Sequence, residues 1–180
     1  MKTHTLVAFL LVLIINLVNS TLSTAQEINA YRLGTEDQIS VTVFNEPDLN
    51  LVEVRISASG TISMPLLGQV SIADLTVTEV ENKLTKLLLQ GYLKKPNLTV
   101  TINEYRPFYI GGEVREPGSY PFRQGLTVQK AIAIAGGFTE RASKSAISMV
   151  NEKEERNIQQ AKLVDGVMPG DVITISESFF

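Results

Sequence analysis

The sequence predicts an α+β protein made of two small mixed domains behind an export signal. Two observations carry the fold class. Short segments alternate apolar and polar residues, as in Ile39, Val41 and Val43 set against Gln38, Ser40 and Thr42, which is the period of a half-buried strand. Two segments carry the 3.6-residue period of an amphipathic helix, one in each half of the chain, and each lies between strand signals. Such interleaving suits small sheets that are each covered by one helix.

The chain has 180 residues, with Lys+Arg 16 against Asp+Glu 19 and 44% hydrophobic residues. That supports a packed core, and the balanced charge gives no basic excess that would point to nucleic acid. There is no Cys and no Trp, and the only histidine is His4. With His4 expected to leave with the leader, the mature chain offers no disulfide, no usual zinc ligand, no Cys nucleophile and no imidazole base. No cofactor or metal is expected.

The leader spans 1–25. Lys2 precedes an apolar run over 6–18, and small Ser23 and Ala25 suit cleavage before Gln26. The run is shorter than the roughly 20 apolar residues of a membrane span and contains Asn16. Because no Cys follows it, a lipid-anchored N-terminus is not expected.

The first domain is assigned to 26–105. Gly34 marks a turn before a strand at 38–44, which Pro47 closes because it cannot donate to a ladder. Strands follow at 53–56 and 61–64 with Gly60 turning between them, and Pro65 and Gly68 break the chain before a strand at 70–72. Thr76 and Glu79 read as a capping box. From Thr76 the helix is expected to run to about residue 92, burying Val77, Val80, Leu84, Leu87 and Leu88 and leaving Glu81, Lys83 and Lys86 off that face. Gly91 and Pro96 end it, and 97–102 alternates again as a strand.

The second domain is assigned to 106–180. A strand begins at Phe108 and runs into Gly111-Gly112-Glu113-Val114. Arg115-Glu116-Pro117-Gly118 reads as a turn with Gly118 at positive φ, and 119–122 returns as a hairpin. Thr127 caps a short helix that buries Val128, Ala131, Ile132 and Ala135, and Gly136-Gly137 stops it with a left-handed cap. A strand at 146–150, an exposed polar loop or hairpin tip at 151–160, a turn at Gly170-Asp171 and a last strand at 172–175 complete a β-grasp-like sheet.

Chemistry-bearing residues are few. Both Gly pairs end elements, so neither sits at the helix N-terminus that binds phosphate. The acid pairs Glu36/Asp37, Glu46/Asp48 and Asp165/Asp171 lie in turn-like sequence, where acids are common, and catalysis is not expected. Tyr105, Arg106 and Tyr109 stand with Phe108 at the junction. They either contact a glycan or a neighbouring subunit, or pack the two domains together.

Both halves resemble known modules. Tyr31-x-Leu33-Gly34-x-x-Asp37, Val43-Phe44, Pro47-Asp48-Leu49, Gly60-x-Ile62-x-x-Pro65-x-x-Gly68 and Leu75-Thr76 are similar to the N-terminal domain of bacterial polysaccharide export proteins. Gly112-Glu113-Val114-x-x-Pro117-Gly118-x-Tyr120, Ala131-Ile132-x-x-Ala135-Gly136-Gly137-Phe138-Thr139 and Gly170-Asp171-Val172-Ile173 are similar to a soluble-ligand-binding β-grasp domain. The resemblance implies a non-enzymatic periplasmic ring subunit at the outer membrane that exports capsular or extracellular polysaccharide. Its implied partners are copies of itself, an inner-membrane copolymerase, the exported polysaccharide and a separate outer-membrane pore protein. The rival reading is a stand-alone periplasmic module that binds a glycan or other ligand.

Overall fold

The computed structural model describes residues 31–151 and 159–178. The expected leader at 1–25 and most of the expected loop at 151–160 lie outside the described residues.

The first half consists of β1 (Gln38–Val43), a 3-10 turn (Pro47–Leu49), β2 (Leu51–Arg55), β3 (Thr61–Met64), β4 (Gly68–Ser71), α1 (Val77–Leu88) and β5 (Leu98–Glu104). β1 is central, with β2 and β5 antiparallel on either side. Its inward residues Ile39, Val41 and Val43 pack with Leu33, Val80, Leu84 and Leu88 into one core. Pro47 opens the 3-10 turn, and Pro65 and Gly68 flank the tip of the separate β3–β4 hairpin. β2 starts earlier than the pattern suggests. It carries a bulge in which Val52 and Glu53 both oppose Ser40, with Glu53 at φ 51. The Ser40 hydroxyl accepts from the Glu53 N–H.

The capping box on α1 is complete: Thr76 Oγ1 accepts from Glu79 N–H, and Glu79 accepts from Thr76 N–H at 2.7 Å. The helix stops at Leu88 and not near residue 92. The N–H groups of Tyr92 and Leu93 both return to the Leu88 carbonyl, so the chain curls back there, and Gly91 takes φ 106. Two of the polar residues off the apolar face have structural partners. Glu81 accepts the Val100 N–H at 2.9 Å, and Lys83 donates to the Ser71 carbonyl at 2.6 Å.

The second half holds β6 (Phe108–Gly112), β7 (Gly118–Tyr120), α2 (Val128–Ile134), β8 (Ala142–Val150), β9 (Gln159–Gln160) and β10 (Val172–Glu177). The strand order is β7-β6-β10-β8-β9, and β10 runs parallel to β6 between the two hairpins. This is the expected β-grasp arrangement, with Phe108, Ile110, Ile147, Ile173 and Ile175 packed against Val128, Ala131 and Ile132. β8 starts at Ala142, ahead of the apolar alternation that was legible. Gly118 does not take positive φ; it opens β7, and the left-handed residue is Gly112 at φ 78. A Cβ on Gly112 would lie 2.0 Å from the Ile175 carbonyl oxygen. The chain therefore needs glycine there to turn Glu113 N–H onto that oxygen at 2.9 Å.

Candidate functional site

The segment joining the two halves is held by a buried ionic clasp. Asp37, fully buried, ends the turn that leads into β1. Its Oδ1 accepts the Arg106 backbone N–H at 2.7 Å. Its Oδ2 accepts Gly34 N–H at 2.7 Å, the Tyr31 hydroxyl at 2.6 Å and Arg106 Nη1 at 3.3 Å. Arg106 also donates to the Tyr31 oxygen at 2.8 Å and stands 5.7 Å from that ring's centroid. A Cβ on Gly34 would fall 2.0 Å from Arg106 Nη1, so glycine is required as the floor of the guanidinium site. Burial first, and then the bond to the Asp37 carboxylate, push the Tyr31 phenol well above its usual range.

The second half repeats the device. Asp171, also buried, precedes β10 as Asp37 precedes β1, and each carboxylate accepts the N–H three residues upstream. For Asp171 that donor is Met168, and Asn151 Nδ2 adds a bond at 3.0 Å. Gly170 N–H reaches the Pro107 carbonyl and Tyr109 N–H reaches the Asp171 carbonyl, so this turn grips the same junction. At the far end, Glu113 accepts the Thr139 hydroxyl and its carbonyl accepts the Thr139 N–H. Val114 bridges Phe138, and the N–H groups of Arg115 and Glu116 take the Gly137 and Ala135 carbonyls. Gly136 and Gly137 are both left-handed, as expected. The loop holding Pro117 thus caps the end of α2.

Two grooves flank the junction. One of about 300 Å³ includes Glu36, Pro107, Tyr109, Asn151 and Val172. The other, of about 370 Å³, includes Arg55, Asn103, Glu104, Tyr105, Tyr120 and Phe122. Tyr105 packs edge-on to Tyr31 and to Phe122. Of the three flagged junction residues, Arg106 is buried in the clasp, Tyr105 is half-buried in an aromatic row, and Tyr109 is 42% exposed on the outer sheet face. Among the described residues, no group of three or more His, Cys, Asp or Glu is arranged to hold a metal, and no helix is long and apolar enough to cross a membrane.

A family model described as "Polysaccharide biosynthesis/export protein" matches residues 25–103, and an "SLBB domain" model matches residues 107–168. The two meet where the clasp sits and together take in most of the chain. The chain belongs to the bacterial polysaccharide export protein family.

Curated relatives of this export family include the "Exopolysaccharide production protein ExoF" of Rhizobium meliloti. It is 31% identical over 147 residues, covering 73% of this chain and 34% of that protein. The "EPS I polysaccharide export outer membrane protein EpsA" of Ralstonia solanacearum is 28% identical over 132 residues, covering 59% and 35%. Its counterpart in Ralstonia nicotianae is 24% identical over 170 residues, covering 79% and 44%. This chain therefore spans less than half the length of these relatives.

In this chain the motif acids hold turns. Asp37 and Asp171 each accept the N–H three residues upstream and a further donor from distant chain, and Asp165 accepts the Lys162 N–H. Reading the sequence missed what Arg106 does: its guanidinium belongs to Tyr31, Gly34 and Asp37 across 69 to 75 positions of chain. The available signal was an Arg directly beside a Tyr-x-Leu-Gly-x-x-Asp domain that has no other assigned partner for its acid. Thr139 and Asn151, the partners of Glu113 and Asp171, carried no signal beyond their polarity.

Proposed function

We propose that this chain is a non-enzymatic subunit of a machine that exports capsular or extracellular polysaccharide. It is secreted by a signal peptide at 1–25, works in the periplasm in association with the outer membrane, and assembles with its own copies into a ring. Its partners are an inner-membrane copolymerase, the moving polysaccharide and a separate outer-membrane pore protein. The domain division at 26–105 and 106–180 is part of the same proposal.

The observation that carries this reading is the tandem of the two modules with a buried ionic clasp at their junction. A ring subunit must present two faces in a fixed relation, so that each copy meets the next at a constant angle. The Asp37–Arg106 contact, closed by Tyr31 and Gly34, supplies a fixed relation at the joint. Relatives named for exopolysaccharide production and export support the same direction.

The test is the mass of the mature protein, in solution and in mild detergent extracts, by analytical ultracentrifugation. A closed ring predicts one large species of fixed stoichiometry. A monomer in both media would favour the stand-alone binding module and remove the ring.

A further inference from the structure

We propose that the groove beside Tyr105 is a binding subsite for an uncharged hexose unit of the moving glycan. The proposal rests on the export reading above and adds the ligand chemistry of one site to it.

A pyranose ring presents apolar C–H faces and a rim of hydroxyls that both donate and accept. A cleft that holds one needs aromatic walls together with a few convergent polar groups. The groove supplies walls from Tyr105, Tyr120 and Phe122, and at its edge Glu104 can accept, Arg55 can donate and Asn103 can do both. Its volume, about 370 Å³, lies at the small end of ligand clefts, which run from roughly 300 to 1,000 Å³.

Arg55 and Glu104 pair at 3.3 Å, so the groove carries no net charge. Both side chains are more than half exposed, and such a pair holds together only weakly. A ligand hydroxyl can accept from Arg55 and donate to Glu104 at once, whereas a ligand carboxylate could use only Arg55 and would stand beside the Glu104 charge.

The Tyr105 ring is held edge-on at 4.9 Å from Tyr31 and 5.4 Å from Phe122, and its hydroxyl accepts from Gln124. Tyr120 is stacked on Phe108 at 5.9 Å and donates to the Glu116 carbonyl. Rigid aromatic walls lose little freedom when a ligand arrives.

The outward face of the β2-β1-β5 sheet carries Ser40, Thr42, Thr99, Thr101 and Asn103, and it ends in the groove at Asn103. The outward face of the β-grasp sheet carries Tyr109, Val172, Thr174 and Ser148, and it meets the groove at Ser119, directly across from Tyr109. The charged residues on the first of these faces are Glu53 and Arg55 of β2, opposite Ser40 and Gln38. Two largely neutral faces that carry several hydroxyl groups thus converge on one aromatic cleft, whose own charged residues, Arg55 and Glu104, are paired with each other.

The test uses the ¹⁵N-labelled mature protein, titrated with neutral gluco-, galacto- and manno-tetraose, with tetragalacturonate as the acidic comparison and glycerol as the polyol control. At least one neutral tetraose should give saturable amide shifts centred on Asn103, Glu104, Tyr105 and Ser119. The double variant Asn103→Ala/Glu104→Gln should weaken that binding roughly tenfold, through two lost hydrogen bonds, while leaving the melting temperature unchanged. No saturable shift with any neutral tetraose overturns the proposal. So do shifts seen only with tetragalacturonate, shifts matched by glycerol, or shifts centred away from the groove. A deletion strain separates the two levels: loss of export without oligosaccharide binding removes the groove alone, whereas normal export removes the function on which it rests.

Discussion

Asp37 and Arg106 show how one pair of side chains turns a short motif into a joint. Removing Arg106 leaves a buried carboxylate without its cation, and losing one partner of a buried pair costs about 3–5 kcal/mol. Arg106→Ala should therefore lower the urea midpoint by that equivalent, a large share of the total stability of a small protein. The two glycines at 34 and 111 make a contrast. Gly34→Ala drives a methyl into the guanidinium, whereas a Cβ at Gly111 meets nothing within 4 Å. Thermal melts should show a loss for Gly34→Ala that Gly111→Ala does not match. Tyr31 adds a pH signature. Its folded pKa is raised above the unfolded value of about 10, so its contribution is complete below that pH and disappears as pH rises beyond it, because the unfolded chain gives up the proton first. Alkaline unfolding of the Tyr31→Phe variant should show a shallower decline above pH about 10 than the parent.

At the scale of elements, the capping box is the clearest test. Thr76→Ala should cost about 1 kcal/mol, measured by denaturant melts. Glu79 is held below the usual carboxylate range, first by the Thr76 N–H. Its help is therefore present above pH about 4.3 and lost as pH falls below that value. The elements that could be read from sequence were those specified by neighbouring residues. β1 alternates cleanly because both its edges are paired and one face is buried, and α1 begins at a cap that Thr76 and Glu79 write three residues apart. What could not be read depends on distant chain. The end of α1 is set by returning N–H groups, and the left-handed turn falls at Gly112 because the Ile175 carbonyl lies against it. The site follows the same rule: Gly34 and Asp37 were visible as a motif, but their purpose required Arg106, which arrives from the other side of the first domain.

For the whole molecule, the clasp ties the segment that joins the two modules to the turn before β1. The clasp leads to a prediction about assembly as well as stability. Arg106→Ala should broaden or collapse the distribution of assembled species in ultracentrifugation even at temperatures where each module remains folded. A single unchanged ring peak would show that the joint does not set the subunit geometry. The claim on which the rest depends is export, and its most direct measurement is the polysaccharide outside the cell. In a strain carrying an in-frame deletion, extracellular and surface polysaccharide should fall to a small fraction of the parent level and return when the full chain is supplied in trans. Unchanged extracellular polysaccharide in the deletion strain would contradict the account.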